Sequence, residues 1–224
     1  MKKTALIFGA TGLVGNLCLE LLVASQLYEK IIVLSRKRIT PPLFGVENIV
    51  TDFSNLHELK SSLVADDIFC AMGTTISKAG SQSNFKKIDF DIPLQTAQFC
   101  KENGASKFIL VSSIGANSQS KIFYSRIKGK LEEALEKLDY NSLIILQPSF
   151  LLGEREDFRL GEAIGKQIAK TFAFVFTGKL KPYKGIDAKN VAKAMIVMAN
   201  SSTQKVERLT YTAMRYAAAK FGKW

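Results

Sequence analysis

An apolar run near the start of the chain breaks into three glycines and then continues with helical spacing. Leu6, Ile7 and Phe8 are consecutive apolar residues, as is typical of a strand covered on both faces. Leucines then recur at the spacing of a helix, at Leu13, Leu17, Leu21 and Leu22. The segment therefore predicts a strand, a glycine turn and a helix, which is the opening unit of a parallel α/β sheet.

The turn itself predicts a nucleotide site. Glycine allows tight turning and close approach of strand, helix and ligand, and the free backbone N–H groups at a helix N-terminus bind pyrophosphate. An ordinary tight turn is the alternative, which the position between a buried strand and a helix disfavours. We expect the cofactor to contact Gly9, Thr11, Gly12, Leu13, Val14 and Gly15.

Size and composition indicate one globular unit over residues 1–224. The chain is 47% hydrophobic and 23% charged, and it has no apolar run long enough to span a bilayer. The N-terminus imitates a signal peptide, but Asn16 and Glu20 interrupt the apolar region. Cys18, Cys70 and Cys100 are widely spaced and disfavour a metal site or a disulfide framework. We therefore expect a cytoplasmic protein with no metal.

The net charge of +11 lies mostly in the C-terminal third of the chain, where lysine and arginine far outnumber aspartate and glutamate. Two interpretations remain open, an anionic substrate and a solvated surface. Nucleic acid is disfavoured because the lysines are scattered and not grouped with aromatic residues. If the substrate is anionic, the lysines expected at the site entrance are Lys166, Lys179, Lys181 and Lys184.

The second buried strand, at residues 30–35, indicates which dinucleotide is bound. In a dinucleotide fold, an acid about 20 residues beyond the glycines binds the ribose 2′-hydroxyl, whereas an arginine accommodates a 2′-phosphate. This strand ends in Ser35 and Arg36 with no acid beside them. We therefore expect NADP(H), with Ser35 donating to the same phosphate. A solvated basic loop is the alternative.

Further strands are predicted at residues 47–52, 67–75, 107–113, 141–147 and 206–211. The carboxyl ends of parallel strands meet at one edge of a sheet, where ligands bind. Helices are predicted through Leu56, Leu59 and Leu63, over residues 85–103, and after Asp187 as N-cap. The remaining cofactor contacts expected at the edge are Asp52, Phe53, Ala71, Met72, Gly73, Thr74 and Pro148.

A tyrosine and a lysine four residues apart follow the fifth strand. Tyr124 and Lys128 share one face of a predicted helix, and Ser113 ends the preceding strand. An ammonium near a phenol lowers the pKa of the phenol, which suits a general acid/base. We expect Tyr124 to transfer the proton, Ser113 to orient the substrate oxygen, and Lys128 to tune the tyrosine and hold the cofactor. Ser112 is the alternative serine.

Several stretches together resemble a known group of proteins. They are residues 9–15, 34–38, 70–75, 78–80, 88–91 (Ile88-Asp89-Phe90-Asp91), 112–116, Tyr124 with residues 128–129, and 147–149. Over about residues 4–200 the chain resembles the atypical short-chain dehydrogenase/reductase superfamily, in the branch of the HIV Tat-interacting protein-like oxidoreductases and their bacterial relatives. The resemblance implies NADP(H) binding, Ser-Tyr-Lys chemistry and a doubly wound sheet. Gln147 departs from the arginine that relatives usually carry before the proline.

The sequence thus predicts an α/β, doubly wound (Rossmann-type) parallel sheet of about seven strands. Residues 151–190 are expected to contribute a small C-terminal substrate-capping region. The predicted function is NADP(H)-dependent hydride transfer to or from a small carbonyl or alcohol. The alternative is an NADP(H)-binding redox-sensing or regulatory protein that acts through a protein partner with little turnover. Monomer and dimer are both compatible with the sequence.

Overall fold

The computed structural model describes residues 3–153 and 184–223. Within these ranges, seven strands form one sheet in which every neighbouring pair is parallel. They are β1 (Lys3–Phe8), β2 (Tyr28–Ser35), β3 (Val46–Val50), β4 (Asp67–Cys70), β5 (Lys107–Val111), β6 (Ser142–Leu146) and β9 (Val206–Leu209). The predicted doubly wound sheet of about seven strands is confirmed.

The sheet order is β3-β2-β1-β4-β5-β6-β9, so the order reverses between β1 and β4. The register across this point sets Ile7 of β1 opposite Val33 of β2 and Phe69 of β4. In a doubly wound sheet, ligands bind in the crevice at such a switch point, outside the carboxyl ends of the strands. The glycine turn follows β1 directly and therefore lies at this crevice.

Helices cover both faces of the sheet. Those described are α1 (Leu13–Ser25), α2 (Ile76–Ala79), α3 (Gln82–Lys86), α4 (Ile92–Glu102), α5 (Phe123–Glu136), α6 (Ala188–Ser201) and α7 (Tyr211–Ala218). Side chains alternate across a strand, so Ile7 packs with α1, α6 and α7, whereas Leu6 and Phe8 pack with α4 and α5. This two-sided burial explains why the strands are apolar without alternation.

The predicted helix through Leu56, Leu59 and Leu63 is wrong. Residues 54–59 are turns, and a 3₁₀ helix follows at Lys60–Ser62. The backbone bonds here span three residues, as from Leu59 N to Leu56 O at 3.1 Å. Residues three apart share a face in a 3₁₀ helix, so the leucine spacing suits this tighter geometry as well as an α-helix. Leu56 and Leu63 are fully buried, as the pattern implied.

The predicted helix over residues 85–103 is interrupted. The π-helical segment Lys87–Asp91 separates α3 from α4. A π-turn inserts an extra residue and rotates the helix face that follows it. The segment aims Asp89 into the protein, where it is fully buried.

The N-cap predicted at Asp187 is confirmed, whereas the strand predicted over residues 206–211 ends at Leu209 because α7 begins at Tyr211. Asp187 caps α6 by accepting a hydrogen bond from the Lys189 N–H at 2.7 Å. A second, two-stranded parallel sheet pairs β7 (Leu151–Leu152) with β8 (Ile186–Asp187) and belongs to the predicted cap. The rest of the cap, residues 154–183, lies outside the described residues, and so do Lys166, Lys179 and Lys181. Among the helices that are described, none has the length and apolarity to cross a membrane.

Candidate active site and cofactor cradle

The glycine turn brings three elements into backbone contact. Gly9 has φ +83°, and a Cβ placed on it would lie 2.4 Å from the carbonyl carbon of Ala71. A Cβ on Gly15 would lie 2.0 Å from the carbonyl oxygen of Gly9. Two of the three glycines are therefore required by close packing, one between the ends of β1 and β4 and the other between the turn and α1.

The N-terminus of α1 fits a pyrophosphate. Gly12 is the N-cap, with an extended backbone at φ −82° and ψ 167°, and no side chain caps the helix. The first-turn N–H groups of a helix have no partner within the helix and carry the positive end of its dipole. Thr11 is exposed beside them, and Leu13 is half-buried. This end of α1 therefore offers the donors that the sequence predicted for the cofactor.

The end of β2 presents exposed basic side chains and one serine whose hydroxyl is already hydrogen-bonded. Arg36 is exposed at the carboxyl edge of the sheet. The Ser35 hydroxyl donates to the carbonyl of Lys37 at 2.7 Å and accepts from Asn48 Nδ2 at 2.9 Å. A hydroxyl has one proton to donate, so Ser35 shapes the loop here instead of offering that proton to a phosphate. Lys37 and Arg38 beside Arg36 are exposed as well, so this end of β2 is basic.

Beyond β3, the two predicted cofactor residues differ in exposure. Asp52 is exposed, and hydrogen bonds from the Ser54 hydroxyl and the Ser54 N–H hold the pKa of its carboxyl below its ordinary value. Phe53 adopts φ +64° and buries its ring in the core beneath this edge. Asp52 can therefore meet a ligand with its side chain, whereas Phe53 reaches the edge only through its backbone.

The loop after β4 contacts Lys128 through Asp89. The Thr74 N–H donates to Asp89 Oδ2 at 2.9 Å, and Lys128 Nζ lies 2.7 Å from Asp89 Oδ1. A Cβ on Gly73 would lie 3.4 Å from the same carboxylate and 3.5 Å from Lys128 Nζ. Ala71 and Met72 continue the strand into this loop, which the structure thus places against α5.

Lys128 is buried as an ion pair. Its side chain is 4% exposed and that of Asp89 is 0% exposed. Burial lowers the pKa of Lys128, but the charge of Asp89 and then that of Tyr124 oppose it and hold the pKa above its ordinary value. Lys128 therefore stays a cation. Tyr124 lies one turn earlier on α5, half-buried, with its ring 5.6 Å from that of Phe85.

The two serines after β5 have different partners. Ser112 is buried and donates to Glu132 Oε1 at 2.5 Å. Ser113 is half-buried, and its hydroxyl makes a local bond to the carbonyl of Ile114 at 3.1 Å. A single long local bond is easily exchanged for a substrate oxygen, whereas the Ser112 proton is held by a buried carboxylate. The geometry favours Ser113 as the orienting serine.

Glu132 occupies a position that sequence reasoning missed. It accepts from Gln147 Nε2 at 3.0 Å, in addition to Ser112, and Arg208 Nε lies 3.4 Å away. The carboxylate thereby joins β5, α5, β6 and β9 just below the site, and Pro148 follows Gln147 as a buried residue. Gln147, the departure from the family pattern, thus has a defined partner inside this chain. A glutamate one turn after Lys128 on the buried side of α5 was the available signal.

Gly129 fixes the loop that carries the serines. A Cβ on this helical glycine would lie 2.2 Å from the Ser118 nitrogen and 2.3 Å from the Asn117 carbonyl carbon. The loop also bonds to α5 through the Asn117 N–H and the Ser125 carbonyl at 3.0 Å. The missing side chain of Gly129 therefore lets the loop after Ser113 pack against α5.

The sheet, its glycine turn and the Tyr-x-x-x-Lys pattern on α5 define the class as the Rossmann-type fold of short-chain dehydrogenases/reductases. Residues 41–181 match the family model described as HIM1. The chain belongs to the HIM1 family.

Two relatives support this membership. Protein FMP52, mitochondrial, of Candida albicans is 40% identical over 199 residues, which cover 85% of this chain and 85% of the relative. Protein HTATIP2 of Rattus norvegicus is 32% identical over 170 residues, covering 74% of this chain and 70% of the relative. The predicted branch of the atypical short-chain dehydrogenase/reductase superfamily is confirmed.

Solved structures with low sequence identity share the fold. MoeE5 in complex with UDP-glucose and NAD gives a TM-score of 0.67 at 14% identity, covering 98% of this chain and 82% of its own. The ADP-L-glycero-D-manno-heptose-6-epimerase of Helicobacter pylori gives 0.67 at 19% identity, covering 99% and 82%. At these identities the likeness shows the fold alone.

One prediction is contradicted by the comparisons. The sequence was expected to belong to a cytoplasmic protein, yet FMP52 proteins from several yeasts, with 35–40% identity to this chain, are named mitochondrial. The expectation of a cytoplasmic location is therefore wrong. It rested on three cysteines and an interrupted apolar N-terminus, and neither feature distinguishes one reducing compartment from another.

Proposed function

We propose that this protein is an NADP(H)-dependent oxidoreductase that acts on a small carbonyl or alcohol. The observation that carries the proposal is the contact of the Gly73–Thr74 loop with Lys128, through Asp89, on the helix that also bears Tyr124. MoeE5, which shares the fold, was solved with NAD, and this supports a nicotinamide dinucleotide as the cofactor.

Three side chains have separate roles in the proposed reaction. A nicotinamide dinucleotide held at this edge would supply the hydride for the carbonyl carbon, or take it up from the alcohol. Tyr124 gives its phenolic proton to the carbonyl oxygen in reduction and takes it back in oxidation. Ser113 donates a hydrogen bond to that oxygen, which orients the carbonyl beside Tyr124. Lys128 provides a fixed positive charge one helical turn from Tyr124.

A screen of carbonyl compounds that follows NADPH absorbance tests the proposal directly. Oxidation of NADPH that requires one of the compounds supports an oxidoreductase. Tight NADPH binding without turnover on any compound would favour the regulatory alternative, in which the cofactor sets a conformation that a protein partner binds.

The cofactor preference is expected to depend on Arg36. NADPH should bind more tightly than NADH, and Arg36→Ala should weaken NADPH binding by about 10–150-fold with little effect on NADH, because a charge-assisted bond to phosphate contributes about 1.5–3 kcal/mol. Fluorescence titration with both cofactors measures this. Arg215→Ala, which removes an exposed arginine from α7, is the control and should change neither constant. Equal affinities in the parent protein would contradict the preference for NADP(H).

The two serines are expected to separate catalysis from stability. Ser113→Ala should lower kcat by about 10–100-fold with little change in the free energy of unfolding, because it removes one oriented donor to the substrate oxygen. Ser112→Ala should lower the free energy of unfolding by about 1–3 kcal/mol, because it takes a partner from the buried Glu132 carboxylate. Steady-state kinetics and urea denaturation of both variants decide the assignment. The reverse pattern would make Ser112 the orienting serine.

A further inference from the structure

Asp89 is a buried carboxylate whose two oxygens face two different parts of the site. Oδ2 accepts the backbone N–H of Thr74 at 2.9 Å, and Oδ1 lies 2.7 Å from the Lys128 ammonium. Its side chain is 0% exposed. A buried charge is stable only when paired and hydrogen-bonded, so these two partners account for its presence in the core.

The position of Asp89 depends on an irregular backbone. It lies inside the π-helical segment Lys87–Asp91, between α3 and α4. π-turns are rare and occur frequently at functional sites. Asp91, in the same segment, is exposed and pairs with Lys86 at 2.7 Å. The segment thus turns one acid inward to the site and leaves the other at the surface.

We propose that Asp89 is a positioning residue that fixes the Gly73–Thr74 loop and Lys128 in one geometry. The inference rests on the proposed function, because it assigns the loop to the cofactor and Lys128 to the proton-transfer pair. One carboxylate then couples the shape of the cofactor cradle to the placement of the catalytic cation. Asp89 itself touches neither substrate nor cofactor and acts through these two partners.

The chemistry of the two partners requires an aspartate. The Thr74 N–H and the Lys128 ammonium are both donors, and a carboxylate offers an acceptor oxygen to each. Asparagine has nearly the same shape but only one oxygen. Its NH₂ group would face either the ammonium or the Thr74 N–H, so one of the two contacts would be lost. Asp89→Asn therefore breaks the link with little change in volume.

The charge of Asp89 also controls Lys128. The titratable groups that face Lys128 are Asp89, Tyr124 and Cys70. Burial alone lowers the pKa of this lysine, and Asp89 is the main group that raises it. Burial raises the pKa of Cys70 to about 12, so this thiol adds no charge at neutral pH. Removing the Asp89 charge should therefore lower the pKa of Lys128, and the cation would be lost as pH rises.

The test compares Asp89→Asn with Asp91→Asn, which removes the same charge from the exposed side of the same segment. Asp89→Asn should weaken NADPH binding at least about tenfold and lower kcat at least about tenfold, since buried charge pairs are costly to break. The alkaline limb of kcat should move about 1–3 pH units lower. Asp91→Asn should match the parent in all three. Asp89→Asn values within about twofold of the parent would overturn the inference.

A double variant distinguishes positioning from a general structural role. Lys128→Met removes the ammonium that would face the NH₂ group of the new asparagine. The double variant should therefore have the same NADPH affinity and the same kcat as Lys128→Met alone. A further tenfold loss in that background would overturn the inference, even if the single variant fails to fold. If the parent binds neither NADPH nor NADH, the proposed function fails and the inference with it. If the parent binds and Asp89→Asn binds equally well, the inference alone fails.

Discussion

Tyr124→Phe is expected to lower kcat by about 10²–10⁴-fold while the dissociation constant for NADPH stays within about twofold of the parent value. The phenolic proton is needed for the chemistry and not for holding the dinucleotide. The substitution keeps the ring, so the contact with Phe85 at 5.6 Å is retained and α5 keeps its packing. Steady-state kinetics on a carbonyl substrate, with fluorescence titration of NADPH, measures both quantities.

Tyr216→Phe provides the control for that experiment. Tyr216 lies on α7, is 67% exposed and stacks with Lys220 at the surface. The same loss of a hydroxyl there should leave kcat unchanged. A loss below about tenfold for Tyr124→Phe would show that another group transfers the proton.

Gly9→Ala is expected to lower the free energy of unfolding by about 3 kcal/mol and to abolish dinucleotide binding in the folded fraction. The left-handed backbone at φ +83° costs an alanine about 1–2 kcal/mol. The new Cβ would also lie 2.4 Å from the Ala71 backbone, and such overpacking costs about 1–3 kcal/mol. Relief requires β1 and β4 to separate at the switch point. Urea denaturation followed by circular dichroism measures the loss.

Gly45→Ala separates the two contributions. Gly45 has φ +75°, close to that of Gly9, but nothing lies within 4 Å of a Cβ at this position. Gly45→Ala should therefore lower the free energy of unfolding only through the left-handed backbone. The net loss should be about 1 kcal/mol, because alanine also reduces the entropy of the unfolded chain. If Gly9→Ala were no more destabilising than Gly45→Ala, the close approach of β1 and β4 would add nothing to the loss in the free energy of unfolding.

The sequence by itself determined the positions of most strands and the placement of Tyr124 and Lys128 on one helix. Apolar runs without alternation predicted strands covered on both faces. β1 contains the predicted residues 6–8, and β2, β5 and β6 lie where they were predicted, to within two residues at each end. Local patterns of this kind are short-range, so they can be read without knowing the fold. The Tyr124–Lys128 spacing likewise placed both residues on α5, because one helical turn separates them whatever surrounds the helix.

Local pattern was insufficient where two helical geometries share a spacing. Leu56 and Leu59 are three residues apart, which fits an α-helix and a 3₁₀ helix alike, and the structure has turns and a 3₁₀ helix. The segment over 85–103 looked like one helix because its apolar residues recur at threes and fours. Only the packed structure revealed the π-turn, because the segment is held by the contacts of Asp89 with Thr74 and Lys128, which are distant in the sequence.

Tertiary structure alone decided what the polar groups do. Ser35 appeared free to bind a phosphate, yet its proton goes to the Lys37 carbonyl in the packed loop. The two contacts of the Asp89 carboxylate are with Thr74 and Lys128, which lie 15 and 39 positions away along the chain. β4 and α5 bring these two residues to it. A buried carboxylate takes its role from the donors that surround it. Those donors come from separate elements of the fold. No local pattern in the sequence indicates that the fold brings them together.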